Sequence, residues 1–211
     1  LTHPFYRAWQ AGELSIEDLQ IYAGQYYFFE AHFPRFLSAI HSKCEDREVR
    51  QSILDNLWDE EHGEVNHLAM WLDFCAGLGL ERDLVEFQSN RAQDSEALDA
   101  HFNACNDGTC SQGPAACYVR VRGPGYSGGI GKDTWFEGIL RNRFSRNPAF
   151  FEVHSILDED YSVKEAVGIV SQTLPESEPQ VEAALQLALD AWWGFLDGVE
   201  AQRHPVEIAV Y

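Results

Sequence analysis

Apolar residues recur at helical spacing through most of the chain, which places them along one side of successive α-helices. Residues 3 to 42 read as two of these. Pro4 suits a first turn, and Phe5 and Trp9 precede a break at Gly12. Ser15-Ile16-Glu17-Asp18 resembles a capping box, with Asp18 where Glu or Gln is usual. It predicts a helix from about Ile16 to His41. That helix is crowded with Tyr22, Tyr26, Tyr27, Phe28, Phe29, Phe33 and Phe36, a density that marks core, and Pro34 within it is expected to bend it. Glu45 to Leu78 reads as one long helix ended by Gly77 and Gly79. Leu84 to Phe102, Asn147 to Val170 and Pro179 to Ala201 follow, the last carrying Trp192, Trp193, Phe195 and Leu196.

Asn106 to Lys132 breaks the pattern, with seven of the sixteen glycines and two prolines. Tyr118 to Arg122 alternates like a short strand. Gly123-Pro124-Gly125-Tyr126-Ser127-Gly128 spells GxGxxG, but that pattern binds a dinucleotide only after a strand in a βαβ unit, and no such unit is present. Gly131-Lys132-Asp133-Thr134 lacks the earlier glycine and the following Ser/Thr of a phosphate-binding loop. Both read as loop chemistry. The fold class is therefore all-α, with at most a hairpin near Tyr118 to Arg122.

Composition changes the picture only modestly. The 211 residues, 45% hydrophobic, read as one domain spanning 1–211 with an atypical glycine-rich insert at about 106–132. No run of 18 apolar residues and no basic-then-apolar leader pattern is present, so the chain reads as soluble and cytoplasmic. Its start at Leu1, already close to helical sequence, suggests that further residues precede it. A net charge of −19 argues against nucleic acid or an anionic membrane as partner. Five cysteines without a CxxC pair read as ordinary thiols rather than a disulfide framework, and Cys105 with Cys110 is weak evidence for zinc.

Candidate chemistry gathers in two stretches. In Trp58-Asp59-Glu60-Glu61-His62-Gly63-Glu64-Val65-Asn66-His67, Glu60 and His67 are seven apart, two turns along one helix, with Glu64 between them. Ile53, Leu57, Leu68, Trp71 and Leu72 flank that face. It is either a solvated acidic face or a metal-binding one, since a buried carboxylate or imidazole needs a partner. His154, Asp158 and Tyr161 repeat the arrangement at i, i+4 and i+7. Two helices that each present carboxylate and imidazole are how helical dinuclear metal sites are built, and such mixed N/O ligands suit iron or manganese, zinc also being compatible.

These residues also carry a resemblance. His3-Pro4-Phe5-Tyr6-Arg7-Ala8-Trp9, Gln25-Tyr26-Tyr27, Phe33 to Ser42, Asn56 to Gly63 with Asn66-His67, and Gly194 to Asp197 resemble the CADD-like branch of the haem-oxygenase-like proteins, related to the TenA and PqqC groups. The branch takes its name from the chlamydial protein that associates with death domains. The match is dense over 3–80, fair over 148–200 and poor between 85 and 147. The resemblance implies a seven-helix haem-oxygenase-like bundle, usually dimeric, with a non-haem diiron or iron–manganese site that activates O2. It implies activities such as making 4-aminobenzoate from a tyrosine of the protein itself, or oxidative cleavage or N-oxygenation of amino or fatty acids.

Position by position, Glu60, His67, His154 and Asp158 match the family's metal ligands, and Tyr6 falls on the tyrosine implicated in the 4-aminobenzoate branch. Two of six ligand positions differ: Tyr161 stands where a His is expected, and Val121 where a Glu is expected. Tyr161 would serve as a phenolate ligand or simply hydrogen-bond within the core. Glu64 and Glu30 are substitute carboxylates, Glu30 otherwise reading as an exposed position in its aromatic helix. Lys132 corresponds to the lysine of the 4-aminobenzoate branch if the gap falls there.

The expectation is a metal-dependent, O2-activating oxidase holding mono- or dinuclear iron, or manganese, and acting on a small amino-acid-like or aromatic molecule. Its pocket would be lined by Tyr26, Tyr27, Phe29 and Trp135, and it would work as a homodimer. Tyr6, Tyr27, Tyr161 and Lys132 are the candidate catalytic residues. The alternatives are an interaction protein with a degenerate site and a metal-free oxidase or hydrolase of the PqqC or TenA kind.

Overall fold

The computed structural model describes residues 2–89, 96–115 and 177–204, together with residue 170. Those residues form helices and their connections, with no strand among them, as expected. No described helix is long and apolar enough to cross a membrane. The readings for 116–169, including the Tyr118 to Arg122 strand and the Asn147 to Val170 helix, lie outside the described residues.

Helix α1 (Pro4–Ala11) begins where His3 accepts the Phe5 N–H on Nδ1 and ends at Gly12. His3 Nε2 sits 3.0 Å from Asp197, which ties this first helix to the last one. The Ser15/Asp18 capping box opens α2 (Ile16–Lys43), and the helix continues through Pro34 to its final turn. Fourteen of its residues are buried, among them consecutive runs such as Tyr26 to Glu30 that cover every face. A helix apolar all round belongs inside a bundle. Accordingly α2 packs against α3 (Arg47–Glu61), α4 (His67–Gly77), α5 (Arg82–Ser89), α6 (Glu96–Asn106) and α7 (Glu178–Arg203).

The single helix expected from Glu45 to Leu78 is two helices. Asp46 accepts the Glu48 and Val49 N–H groups and starts α3, which stops at Glu61. Gly63 then adopts φ +83°, a left-handed conformation that side chains with a Cβ rarely take, and Asn66 caps α4 by accepting the Ala69 N–H. Helix α4 turns His67, Met70, Trp71, Leu72, Phe74 and Cys75 inward, and the Trp71 indole N–H donates to the Ala23 carbonyl of α2 at 3.1 Å. The expected Leu84 to Phe102 helix is described as α5 and α6, with 90–95 between them outside the described residues.

One cysteine reading is also corrected. Cys44, the C-cap of α2, is disulfide-bonded to Cys110, so these two are not ordinary thiols, and Cys105 and Cys110 do not form a zinc pair. Cys75 and Cys105 are free and buried. The preceding Lys43 donates to the carbonyls of Cys105 and Gly108, which fastens the same helix end to the last turn of α6 and the segment after it. Spacing alone hides such a pairing, because it depends on where α2 ends relative to α6.

Candidate metal centre

Three helices converge on one buried polar group. Glu30 on α2 is 1% exposed, Glu60 on the last turn of α3 is 3% exposed, and His67 on the first turn of α4 is 8% exposed. His67 Nδ1 lies 3.0 Å from Glu60 Oε1, and one ligand atom of each residue falls within 4.8 Å of the others. Glu60 and His67 therefore meet, though from two helices flanking a turn rather than from one continuous face. Glu64 lies in that turn and is exposed, so it does not stand between them.

The expectation of an exposed Glu30 is overturned. Position 30 follows Tyr26 by four residues and precedes Phe33 by three, and both are buried, so helical geometry carries the carboxylate inward with them. Beneath it the same logic builds a floor. Tyr26 lies one turn before Glu30 and Trp71 one turn after His67, and their rings approach to 4.5 Å between centroids. Tyr22 continues the stack below Tyr26 at 5.6 Å.

Two carboxylates and an imidazole in apolar surroundings have a definite electrostatic demand. Carboxylates this close disfavour joint ionisation unless a proton or a cation lies among them. A divalent cation held by two carboxylates and a neutral imidazole makes an uncharged group, which suits apolar surroundings. Mixed N/O donors of this kind suit iron, manganese or zinc. The residues present thus fit a metal.

The phenols of Tyr6, Tyr22 and Tyr27 stay protonated. Burial raises the Tyr22 phenol well above its ordinary range, reinforced by Tyr6, Tyr26 and Glu30 nearby. Burial likewise raises Tyr27, helped by the Glu86 carboxylate. Tyr6 on α1 is raised by burial and partly relieved by the Trp192 indole N–H, which donates to its hydroxyl at 2.8 Å. Trp192 was not anticipated as a partner of Tyr6. Its signal in the sequence, an aromatic group near the end of the last helix, reads equally well as plain core. Tyr26 and Phe29 of the expected pocket wall pack against Trp192, 6.0 and 5.2 Å away between ring centroids. Lys132, Trp135, His154, Asp158 and Tyr161 lie outside the described residues.

Residues 1–128 match the TENA/THI-4/PQQC family. The chain is 33% identical over 203 residues to a 4-aminobenzoate synthase of Chlamydia muridarum, covering 93% of this chain and 83% of that one. It is 34% identical over 214 residues to a 4-aminobenzoate synthase of Nitrosomonas europaea, covering 94% and 85%. A pyrroloquinoline-quinone synthase of Pseudomonas aeruginosa matches at 32% over 87 residues, 40% of this chain and 35% of the other. Among solved structures, a TenA homolog from Pseudomonas syringae pv. tomato superposes with a TM-score of 0.71 at 15% identity, covering 94% of this chain and 85% of that one. That last likeness is one of fold, and it places the helices in the TenA-like, haem-oxygenase-like arrangement.

Proposed function

We propose that this chain, which belongs to the TENA/THI-4/PQQC family, is a metal-dependent biosynthetic oxidase that uses O2 on a small amino-acid-like or aromatic molecule. The observation that carries the reading is the buried meeting of Glu60 and His67 at 3.0 Å. These are also two of the ligands that the CADD-like resemblance assigns, and His154 and Asp158 are the proposed remainder of that set. Iron, mono- or dinuclear, is the proposed metal, with manganese served by the same donors. When bound, such a cation supplies the electrons that reduce O2 beside the substrate.

The chain's own residues prepare the surroundings. Tyr26, Trp71, Tyr22 and Trp192 form an aromatic wall that keeps water from the polar group, and in such a dry site charge interactions act more strongly. Tyr27, held protonated, offers a hydrogen bond to a substrate rather than accepting a proton from it. Tyr6 is the proposed tyrosine consumed in making 4-aminobenzoate, supported by the likeness to relatives named 4-aminobenzoate synthase. Burial and the Trp192 bond hold its ring in one orientation. Lys132 and Tyr161 are proposed as further participants, and a homodimer as the working form.

The test is release of 4-aminobenzoate. Purified protein loaded with iron, manganese or both receives a reductant and O2; the product is measured by mass spectrometry and the intact protein is weighed for a loss at Tyr6. The reading expects product from the loaded protein and none from His67→Ala. Wild-type protein that takes up no iron, manganese or zinc, with His67→Ala retaining the activity, would replace it by a metal-free oxidase.

A further inference from the structure

Resting on that metal-dependent reading, we infer that Glu30, only a substitute carboxylate on the sequence alone, is a metal ligand, supplied by α2 from outside the two stretches that carry the Glu60/His67 and His154/Asp158 spacings. Glu30 is the most buried of the three polar groups, at 1% exposure, and its carboxylate shares the 4.8 Å cluster with Glu60 and His67. Each of the three comes from a different helix, so their meeting is a tertiary arrangement rather than a chance of local spacing.

The register that brings Glu30 there is fixed. The Trp71 indole N–H bonds to the Ala23 carbonyl, two turns before Glu30, and the Tyr26–Trp71 contact fills the layer between. Sliding α2 along α4 by one turn would break both. The carboxylate is therefore held opposite His67 by groups that are themselves buried, which is the second layer of support that a metal site needs.

Metal affinity separates this role from a purely structural one. A carboxylate that only packs or pairs within the metal-free core changes stability when replaced by its neutral isostere, whereas a ligand also changes the affinity for the metal. The ligand set of two carboxylates and one imidazole favours a hard or borderline divalent cation, Mn(II) or Fe(II), over a thiophilic one.

The experiment is a titration of chelator-stripped protein with Mn(II), free metal being read by electron paramagnetic resonance and thermal melts run with and without metal. Wild type and Glu64→Gln, whose side chain is exposed, are expected to bind alike. Glu30→Gln is expected to bind at least about tenfold more weakly, since even losing a residue that only supports a ligand costs roughly 10–100-fold. Binding by Glu30→Gln equal to wild type, with Glu60→Gln impaired, overturns the assignment of Glu30 and leaves the metal-dependent reading standing. No binding by wild type overturns both. Should Glu30→Gln not fold, Glu30→Asp keeps the charge with a shorter reach: weaker affinity and an altered bound-Mn(II) spectrum support the ligand role, and an unchanged spectrum and affinity reject it.

Discussion

The indole N–H of Trp192 donates to the hydroxyl of Tyr6 at 2.8 Å, a buried bond between residues 186 positions apart that joins the first helix to the last. Tyr6→Phe removes the acceptor and leaves a buried N–H behind, at a cost of about 1–3 kcal/mol. Trp192→Phe removes the donor and part of the core volume, so it is expected to destabilise at least as much. Denaturant unfolding of both single variants and the double variant measures the coupling, and additive losses would show that the bond contributes nothing. Tyr6→Phe is also expected to abolish 4-aminobenzoate release while leaving metal content unchanged.

Gly63 holds the turn that lets α3 and α4 present Glu60 and His67 to each other. A Cβ there meets no neighbouring atom, so the whole effect of Gly63→Ala comes from its left-handed φ of +83°. The variant is expected to lose about 1 kcal/mol of stability. It should also weaken metal binding, whereas Gly194→Ala, equally open but on the regular helix α7, should leave metal binding unaffected. Equal metal affinity in both variants would show that the turn does not set the ligand spacing.

Acid sensitivity has one source outside the metal group. Burial pushes the Asp18 carboxyl up, but the Ser15 N–H and the Arg203 guanidinium, 3.1 Å away, outweigh it and hold the carboxyl below its usual range. A depressed carboxyl contributes stability that is present above the ordinary aspartate range and is lost as pH falls through the lowered value. Asp18→Asn should therefore melt below wild type at neutral pH, with the gap closing under strong acid. A gap independent of pH would rule out the ionised pair as its cause.

The Cys44–Cys110 bond closes a sequence separation of 66 residues. In the chain-entropy picture a loop of that size stabilises the fold by about 4 kcal/mol. Thermal melts with and without a strong reductant should differ by several degrees, and Cys44→Ser should remove the difference. If reductant has no effect on wild type, the bond makes no contribution to stability.

The elements most legible in the sequence were those with local signals. The Pro4 start, the Ser15/Asp18 box and the last helix follow from caps and periodicity, which act within a few residues. The seven-residue spacing pairs Glu60 with His67 but on a premise that fails, since the two stand on separate helices rather than two turns apart on one. Gly63 and Asn66, a left-handed residue and an N-cap, were the available signs of a break, and the strong apolar pattern on either side overrode them. The burial of Glu30 is illegible in the sequence because a carboxylate is costly to bury alone, and the groups it meets come from α3 and α4, far away in sequence. The Cys44–Cys110 pairing was illegible for the same reason.

Helix α7 is the last of the described helices along the chain, yet it packs on α1, α2 and α6 and closes over Tyr6. A ribosome delivers α1 through α6 first, so those helices can associate while one side of the aromatic core still faces water. The Trp192 bond to the tyrosine waits for residues 178–203. The emergence of α7 is thus what supplies the donor for the Tyr6 hydroxyl, and a chain stopped short of Trp192 would lack the bond that orients that ring.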